Sequence, residues 1–338
     1  MKKKICVVTG SRAEYYLLRP LLQLLKKEKG ILLQVVATGT HLSHEFGQTY
    51  KDIEKDGFRI NEKINIGLKS DSSRGIAKSM ALALEKFTRA YDKLKPDLVV
   101  LLGDRFEIFA AACAGHISGI AIAHINGGET TAGAIDDAFR HAITKMSQLH
   151  FVSTGQYRKR VIQLGEYPQT VFNVGATASD SIKAMKLLNR EKLEKELKFK
   201  FNKRNLLITF HPVTLERGTA GRQFGNLLQA IDGLKETNFI FTKSNADSGG
   251  RIINKMMDEY AAKNKSRAKV FVSLGHLRYF SVIKQVDALL GNSSSGIIEA
   301  PILKTATINI GDRQKGRLKT ESIIDCLPEK SVIQKALL

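Results

Sequence analysis

The chain has 338 residues, and 53 Lys+Arg against 33 Asp+Glu give it a formal charge of +20. At 43% hydrophobic and 25% charged, with 27 Gly and only 6 Pro, it has the composition of a folded globular protein, which excludes disordered, collagen-like and low-complexity chains. The length implies two domains, and a charge split as +8 over residues 1–170 and +12 over residues 171–338, with no Trp, argues against a dedicated nucleic-acid surface.

The expected partner is therefore one acidic small molecule served by a few basic groups, with most lysines solvated. Cys6, Cys113 and Cys326 lie far apart among apolar neighbours, without a Cys-x-x-Cys pair. That usage fits buried thiols in a reducing cytoplasm and gives no support to a zinc site. No stretch approaches the roughly 20 apolar residues of a membrane span.

In chain order, the apolar run Ile5 to Val8 breaks at Thr9-Gly10-Ser11-Arg12, too soon for a signal-peptide core, and reads as a first buried strand. Further strands are expected at 33–38, 58–64, 98–103, 120–125, 150–153 and 171–174, then at 206–210, 239–242, 270–273, 288–291 and 305–310. Helical stretches fall between them, among them 16–27, 76–94, 135–146, 224–235 and 252–263. Continuous apolar strands alternating with helices specify parallel sheets covered on both faces. The pattern occurs twice, so the fold class is α/β, with two Rossmann-like doubly wound domains facing each other across a cleft. The charged, weakly patterned stretch 188–204 is the expected linker, between a first domain 1–187 and a second domain 205–338.

In such sheets ligands bind outside the carboxyl ends of the strands. The first strand ends in Gly10-Ser11-Arg12-Ala13-Glu14, a turn that suits a phosphate. Neither a Gly-x-Gly-x-x-Gly nor a P-loop fingerprint occurs, which weakens the dinucleotide and NTPase readings. The fourth strand delivers Asp104, and the fifth leads into His124-Ile125-Asn126-Gly127-Gly128-Glu129 and a helix with Asp136 and Arg140 on one face. A single acid at a strand end is commonly a helix cap; several converging on one sheet edge point to acid–base work. In the second half His211 ends a strand. Gly291-Asn292-Ser293-Ser294-Ser295-Gly296 then opens a helix suited to a diphosphate, with Glu299 placed for ribose hydroxyls.

The ordered set GSRAEY, GTHLSHEFG, LGDRFE, HINGGETTAGAIDDAFRHAITK, HPVT, GNSSSGIIEAP and INIGDRQKGR spans nearly the whole chain. It resembles the hydrolysing nucleotide-sugar 2-epimerases, the family of UDP-N-acetylglucosamine 2-epimerase. The resemblance implies a glycosyltransferase B type fold with the active site in the interdomain cleft, no metal, no cofactor, and a dimer or tetramer. It also implies removal of the sugar C2 proton, departure of UDP, and addition of water to release the free 2-epimeric sugar. Matched by position, Asp104 and Asp136 are candidates for proton transfer, Arg140 orients that helix face, and His211 stabilises the departing diphosphate. Arg12, Ser293 and Ser294 would hold phosphates, Glu299 the ribose, Asn245 and the stretch Gly275–Phe280 the uridine side, and Arg317 the rim of the site.

Many members of that family carry a glutamate where this chain has Asn126, which cannot titrate; Asn126 is kept as a substrate contact and Glu129 is expected to take the proton-transfer role. The chain stops at Leu338 where relatives usually continue into a last helix, so a truncated chain is expected. The leading substrate is UDP-N-acetylglucosamine, giving N-acetylmannosamine and UDP. The alternative is UDP- or GDP-linked N,N'-diacetylbacillosamine, as in legionaminic acid synthesis. A glycosyltransferase of the same fold is the reading from another enzyme class.

Overall fold

The computed structural model describes residues 2–183, 185–216, 218–244 and 247–338. Its backbone contacts divide it into two units. The first takes in the chain up to Glu129 together with Asp136–Ser181; the second is Thr130–Ile135 with Ile182–Leu338.

In the first unit seven parallel strands, β1 (Lys3–Thr9), β2 (Ile31–Thr38), β3 (Glu62–Ile64), β4 (Leu98–Leu102), β5 (Ala121–Ile125), β6 (Leu149–Val152) and β7 (Val171–Asn173), lie in the order β3-β2-β1-β4-β5-β6-β7. Both sheet faces are filled. Cys6, Val8, Val36, Val99 and Leu101 pack under the helices Ser73–Leu94 and Phe106–Ile117, while Val7, Val35, Val100 and Leu102 pack with Tyr15, Leu18 and Leu22 of the helix Arg12–Lys27. Alternate residues of one strand thus enter opposite cores, which is why these strands read as unbroken apolar runs.

The second unit repeats the plan with β8 (Arg204–Thr209), β9 (Thr237–Thr242), β10 (Ala268–Phe271), β11 (Ala288–Gly291), β12 (Ala306–Ile310) and β13 (Ile323–Cys326), in the order β10-β9-β8-β11-β12-β13 and again all parallel. Its core gathers Ile208, Phe210, Phe224, Leu227, Phe239, Phe241, Ile253 and Leu290. Two doubly wound Rossmann-like units of this kind are the glycosyltransferase B type of fold.

Three differences from the sequence expectation have physical causes. The third strand is only Glu62–Ile64, because Asn61 pairs with Val35 through both its backbone N–H and its side-chain Oδ1, and Phe58 packs without joining the sheet. The stretch 188–204, read as a linker, holds the helix Arg190–Leu197, capped by Asn189, with Leu193 and Leu197 buried. It is part of the second unit, as is Thr130–Ile135, where the Ala132 N–H donates to the Lys315 carbonyl and the Ile135 N–H to Thr214 Oγ1. The edge strand β13 carries no apolar run, since Ile324 is half exposed and Asp325 receives Asn309 Nδ2.

Cys6 is buried, with its thiol pushed up to about 12 by burial, and all three cysteines are free. Among the described residues no helix is long and apolar enough to cross a membrane.

The β8–β11 junction depends on a bare Cα. Gly291 has φ +140°, and a Cβ there would lie 2.1 Å from the Thr209 carbonyl oxygen. Gly291→Ala should therefore cost on the order of 3 kcal/mol and lower the thermal unfolding midpoint by roughly 6–12 °C. A midpoint within 2 °C of wild type, read by circular dichroism, would show that the junction yields.

Candidate active site

Each sheet changes direction once, between β1 and β4 in the first unit and between β8 and β11 in the second. Loops leaving the carboxyl ends of these strands diverge there, and ligand crevices of doubly wound sheets form at such points. Most of the residues singled out from sequence lie on these loops.

In the first unit β1 ends at Thr9, and Ser11 caps the helix that starts with Arg12, accepting the Glu14 N–H at 3.4 Å. Glu14 returns the contact: Oε2 accepts the Gly10 N–H at 2.8 Å and Oε1 the Ser11 hydroxyl at 3.0 Å. This resembles a capping box with its carboxylate reaching one residue further back. Below it Arg105 Nε donates to Glu107 Oε1 at 2.8 Å and stands 3.9 Å from Glu14 Oε1. Glu107 has no exposed surface, and a Cβ on Gly10 would sit 2.6 Å from its Cγ, so the loop closes over this acid only because residue 10 has no side chain. Burial, then the neighbouring charge of Glu107, push the Glu14 carboxyl up to about 8 against Arg105 and its hydrogen bonds. Burial and the charge of Glu107 thus favour the protonated form of Glu14.

The loop after β4 carries Asp104, which accepts a hydrogen bond from Arg140 Nη2. Arg140 projects from the helix Asp136–Met146 and is 1% exposed. Burial opposes its charge, but Asp104, Glu129, Asp137 and Asp136 together hold its pKa above the ordinary value. Four carboxylates thus act on one guanidinium. Glu129 is buried and accepts Ser153 Oγ at 3.1 Å. Asn126 sits just after β5 with φ +65°, its N–H donating to the Phe151 carbonyl at 2.9 Å. Asparagine occupies that left-handed conformation more readily than most residues.

In the second unit the organising side chain is Asn292, fully buried after β11. Its Oδ1 accepts the His211 N–H at 2.7 Å and its Nδ2 donates to the His211 carbonyl at 2.8 Å. Its own carbonyl accepts Gln314 Nε2 at 2.9 Å and Arg313 Nη1 at 3.2 Å. The loops after β8, β11 and β12 are thereby tied at one point. His211 is buried, with Nδ1 3.2 Å from Ser244 Oγ. Ser293 caps the following helix and lies 3.0 Å from Ser295 Oγ, which also bonds Tyr279 Oη. That helix is one turn, Ser294–Ile297, and Glu299 begins another short one, Glu299–Ile302. The two turns meet at Ile298, whose φ −107° and ψ −59° keep it in the right-handed helical region and whose N–H donates to the Ser294 carbonyl at 2.9 Å.

Arg317 follows the turn Asp312–Gln314, its N–H donating to the Gln314 carbonyl at 3.3 Å. Phe280 is 2% exposed with its ring centroid 4.1 Å from that of His276, which leaves the ring no open face for a base. Asn245 lies outside the described residues. No group of three or more His, Cys, Asp or Glu placed to hold a metal ion occurs among the described residues.

The sequence model of the UDP-N-acetylglucosamine 2-epimerase family matches residues 23–338. The chain belongs to that family. Among its relatives, the GDP/UDP-N,N'-diacetylbacillosamine 2-epimerase (hydrolyzing) of Campylobacter jejuni is 50% identical over 324 residues, covering 96% of this chain and 84% of the relative. Polysialic acid biosynthesis protein P7 of Escherichia coli is 43% identical, covering 99% and 85%, and the UDP-N,N'-diacetylbacillosamine 2-epimerase (hydrolyzing) of Legionella pneumophila is 35% identical, covering 96% and 85%. The fold is that of UDP-GlcNAc 2-epimerase from Methanocaldococcus jannaschii, solved with UDP-GlcNAc and UDP (TM-score 0.80, 19% identity, 99% of this chain and 91% of that one). The chain is thus a 2-epimerase of the hydrolysing UDP-N-acetylglucosamine 2-epimerase family.

Three polar residues of this epimerase escape the sequence reading. Glu14 is signalled by the Ser11-x-x-Glu14 spacing of a capping box, and Glu107 stands in the quoted Asp104-Arg105-Phe106-Glu107 run. Asn292 has no signal beyond being polar at the end of an apolar strand.

Because Glu14 keeps its proton in the folded chain up to about pH 8 but loses it near its ordinary value of 4.5 when unfolded, the folded state binds more protons in between. Its contribution is full below pH 4.5 and declines as pH rises through 8. Glu14→Gln, the shape of the protonated acid, should flatten that decline in chemical-denaturation curves measured from pH 5 to 9. An unchanged slope would show that Glu14 is ionised in the folded state.

Proposed function

We propose that this epimerase acts on nucleotide-linked N,N'-diacetylbacillosamine, releasing the free 2-epimeric sugar and the nucleoside diphosphate. The observation carrying this is the 50% identity to the Campylobacter jejuni enzyme of that name, beside 28% to the UDP-N-acetylglucosamine 2-epimerase of Neisseria meningitidis. The Legionella pneumophila relative carries a name of the same kind. The second reading is UDP-N-acetylglucosamine, the substrate in the name of the Neisseria meningitidis relative.

The reaction breaks the C2–H bond and the bond from C1 to the diphosphate, and forms C1=C2. A proton then returns to C2 on the opposite face while water supplies oxygen to C1, so that the second step restores the hydrogen count. One group must take a proton, another must give one, and hydrogen-bond donors must meet the departing diphosphate. The carboxylates gathered on Arg140 support the proton-transfer roles of Asp104, Glu129 and Asp136. Arg140 keeps them oriented, and Asn126, holding the turn after β5, contributes a polar amide to the substrate. Arg12, at the start of its helix, and the hydroxyls of Ser293 and Ser294 are assigned to phosphate. His211, held on both sides of its backbone by Asn292, is assigned to the departing diphosphate, Glu299 to ribose and Arg317 to the rim. With the Phe280 ring buried, uridine contacts fall to Asn245 and to the backbone of the helix Gly275–Gln285. The active enzyme is proposed to be a homo-oligomer.

Incubation with UDP- and GDP-diacetylbacillosamine and with UDP-N-acetylglucosamine side by side, with products identified by NMR, should give the fastest release from a diacetylbacillosamine substrate. Preferential turnover of UDP-N-acetylglucosamine would establish the second reading instead, and sugar transfer to an acceptor without free sugar would make the chain a glycosyltransferase. Asp104→Asn should lower kcat by about 10²- to 10⁴-fold while UDP affinity stays within threefold; wild-type turnover removes Asp104 from the chemistry. Ser294→Ala should weaken UDP binding by about 1 kcal/mol, read by calorimetry, with kcat little changed.

A further inference from the structure

His124 is the next-to-last residue of β5, with no exposed surface, in an otherwise apolar strand. Its Nε2 lies 2.8 Å from the Gly103 carbonyl and its Nδ1 3.0 Å from Thr144 Oγ1. A carbonyl only accepts, so Nε2 carries the ring proton, and in the neutral ring Nδ1 faces the Thr144 hydroxyl, whose single proton is shared between Nδ1 and the Arg140 carbonyl. Gly103 directly precedes Asp104. Thr144 follows Arg140 by one helical turn and lies within 3.1 Å of its carbonyl. The imidazole therefore joins the backbone of one member of the ion pair to the helix that carries the other.

We infer that His124 is the positioning residue of this epimerase, setting the separation and angle of the Asp104–Arg140 pair by bridging Gly103 to Thr144. The inference rests on the proposed role of Asp104 in proton transfer. A side chain there must have a donor and an acceptor at the reach of an imidazole and must stay uncharged beside Arg140. Burial drives the ring toward neutrality, and Arg140 and the buried His150 on β6, in register with His124, act in the same direction; the Gly103 carbonyl and Asp104 oppose them, and the pKa falls to about 4. The other faces of the ring meet no carboxylate besides Asp104 among the groups that perturb it. A neutral bridge fixes geometry without adding a charge that would compete with Arg140 for Asp104.

The test compares His124→Phe, which keeps the bulk and removes both bonds, with His124→Gln, whose amide nitrogen can again donate to Gly103. Each variant is crystallised with UDP and assayed on the substrates above. His124→Phe should open the Asp104–Arg140 pair and lower kcat at least 30-fold, with the UDP dissociation constant within twofold; His124→Gln should restore the pair and bring kcat within fivefold of wild type. If His124→Phe does not fold, Thr144→Val, which leaves the ring in place and removes one end of the bridge, is read in its stead with the same criteria. A variant that loses the bridge but keeps the pair closed overturns the inference whatever its turnover, as does an open pair with unchanged kcat. Should the wild-type enzyme release no free sugar from any of these substrates, the proposed function falls while the crystallographic comparison still decides the positioning role.

Discussion

A guanidinium with almost no access to water must be matched by negative charge, and that requirement organises the carboxyl edge of the first sheet. Burying a charge costs several kcal/mol unless partners restore what hydration gave. Arg140 is matched by Asp104 at the end of β4, by Glu129 beyond β5, and by Asp136 and Asp137 on its own helix. Removing any one changes the balance for the others, so these side chains function as a unit. The same arrangement explains why the pieces come from strand ends: only there does a parallel sheet bring residues some 30 positions apart in sequence onto adjacent loops.

The second unit solves a corresponding problem with a neutral group. Asn292 offers a donor and an acceptor to His211 and a carbonyl to the loop after β12, so the buried side chain that ties these loops is itself uncharged. Under the proposed reaction the division is chemically sensible. Proton transfer requires titratable groups whose charge is controlled, whereas a departing diphosphate brings its own negative charge and requires well-placed donors.

Much of this was legible in the sequence. Most strands from β1 to β12 stand in the chain as apolar runs, because both faces of each sheet are covered, with β3 (Glu62-Lys63-Ile64) an exception, and Asp104 and Arg140 fall where a strand-end argument looks for chemistry. The Ser293–Glu299 segment was read as a helix start at a strand end, and it is built as two short turns joined at Ile298. What stayed hidden is the buried polar framework. His124 finds Thr144 20 residues away and Asn292 finds His211 81 residues away; such partners are set by strand order, which a local pattern does not encode. The edge strand β13 and the helix within 188–204 escaped for a different reason: each buries too little to show a continuous apolar face.

The framework also bears on how the net charge is used. Of the +20, Arg140 is the part committed to the interior, and it is opposed by more carboxylates than one cation needs, so the edge around it is locally acidic. An anionic sugar nucleotide would be repelled by such an edge were its phosphates brought there. Under the proposed function the uncharged sugar, which must lose a proton, suits such an edge. Under that proposal, replacing an acid of this edge by its amide alters proton transfer and also makes the edge less repulsive to an anion.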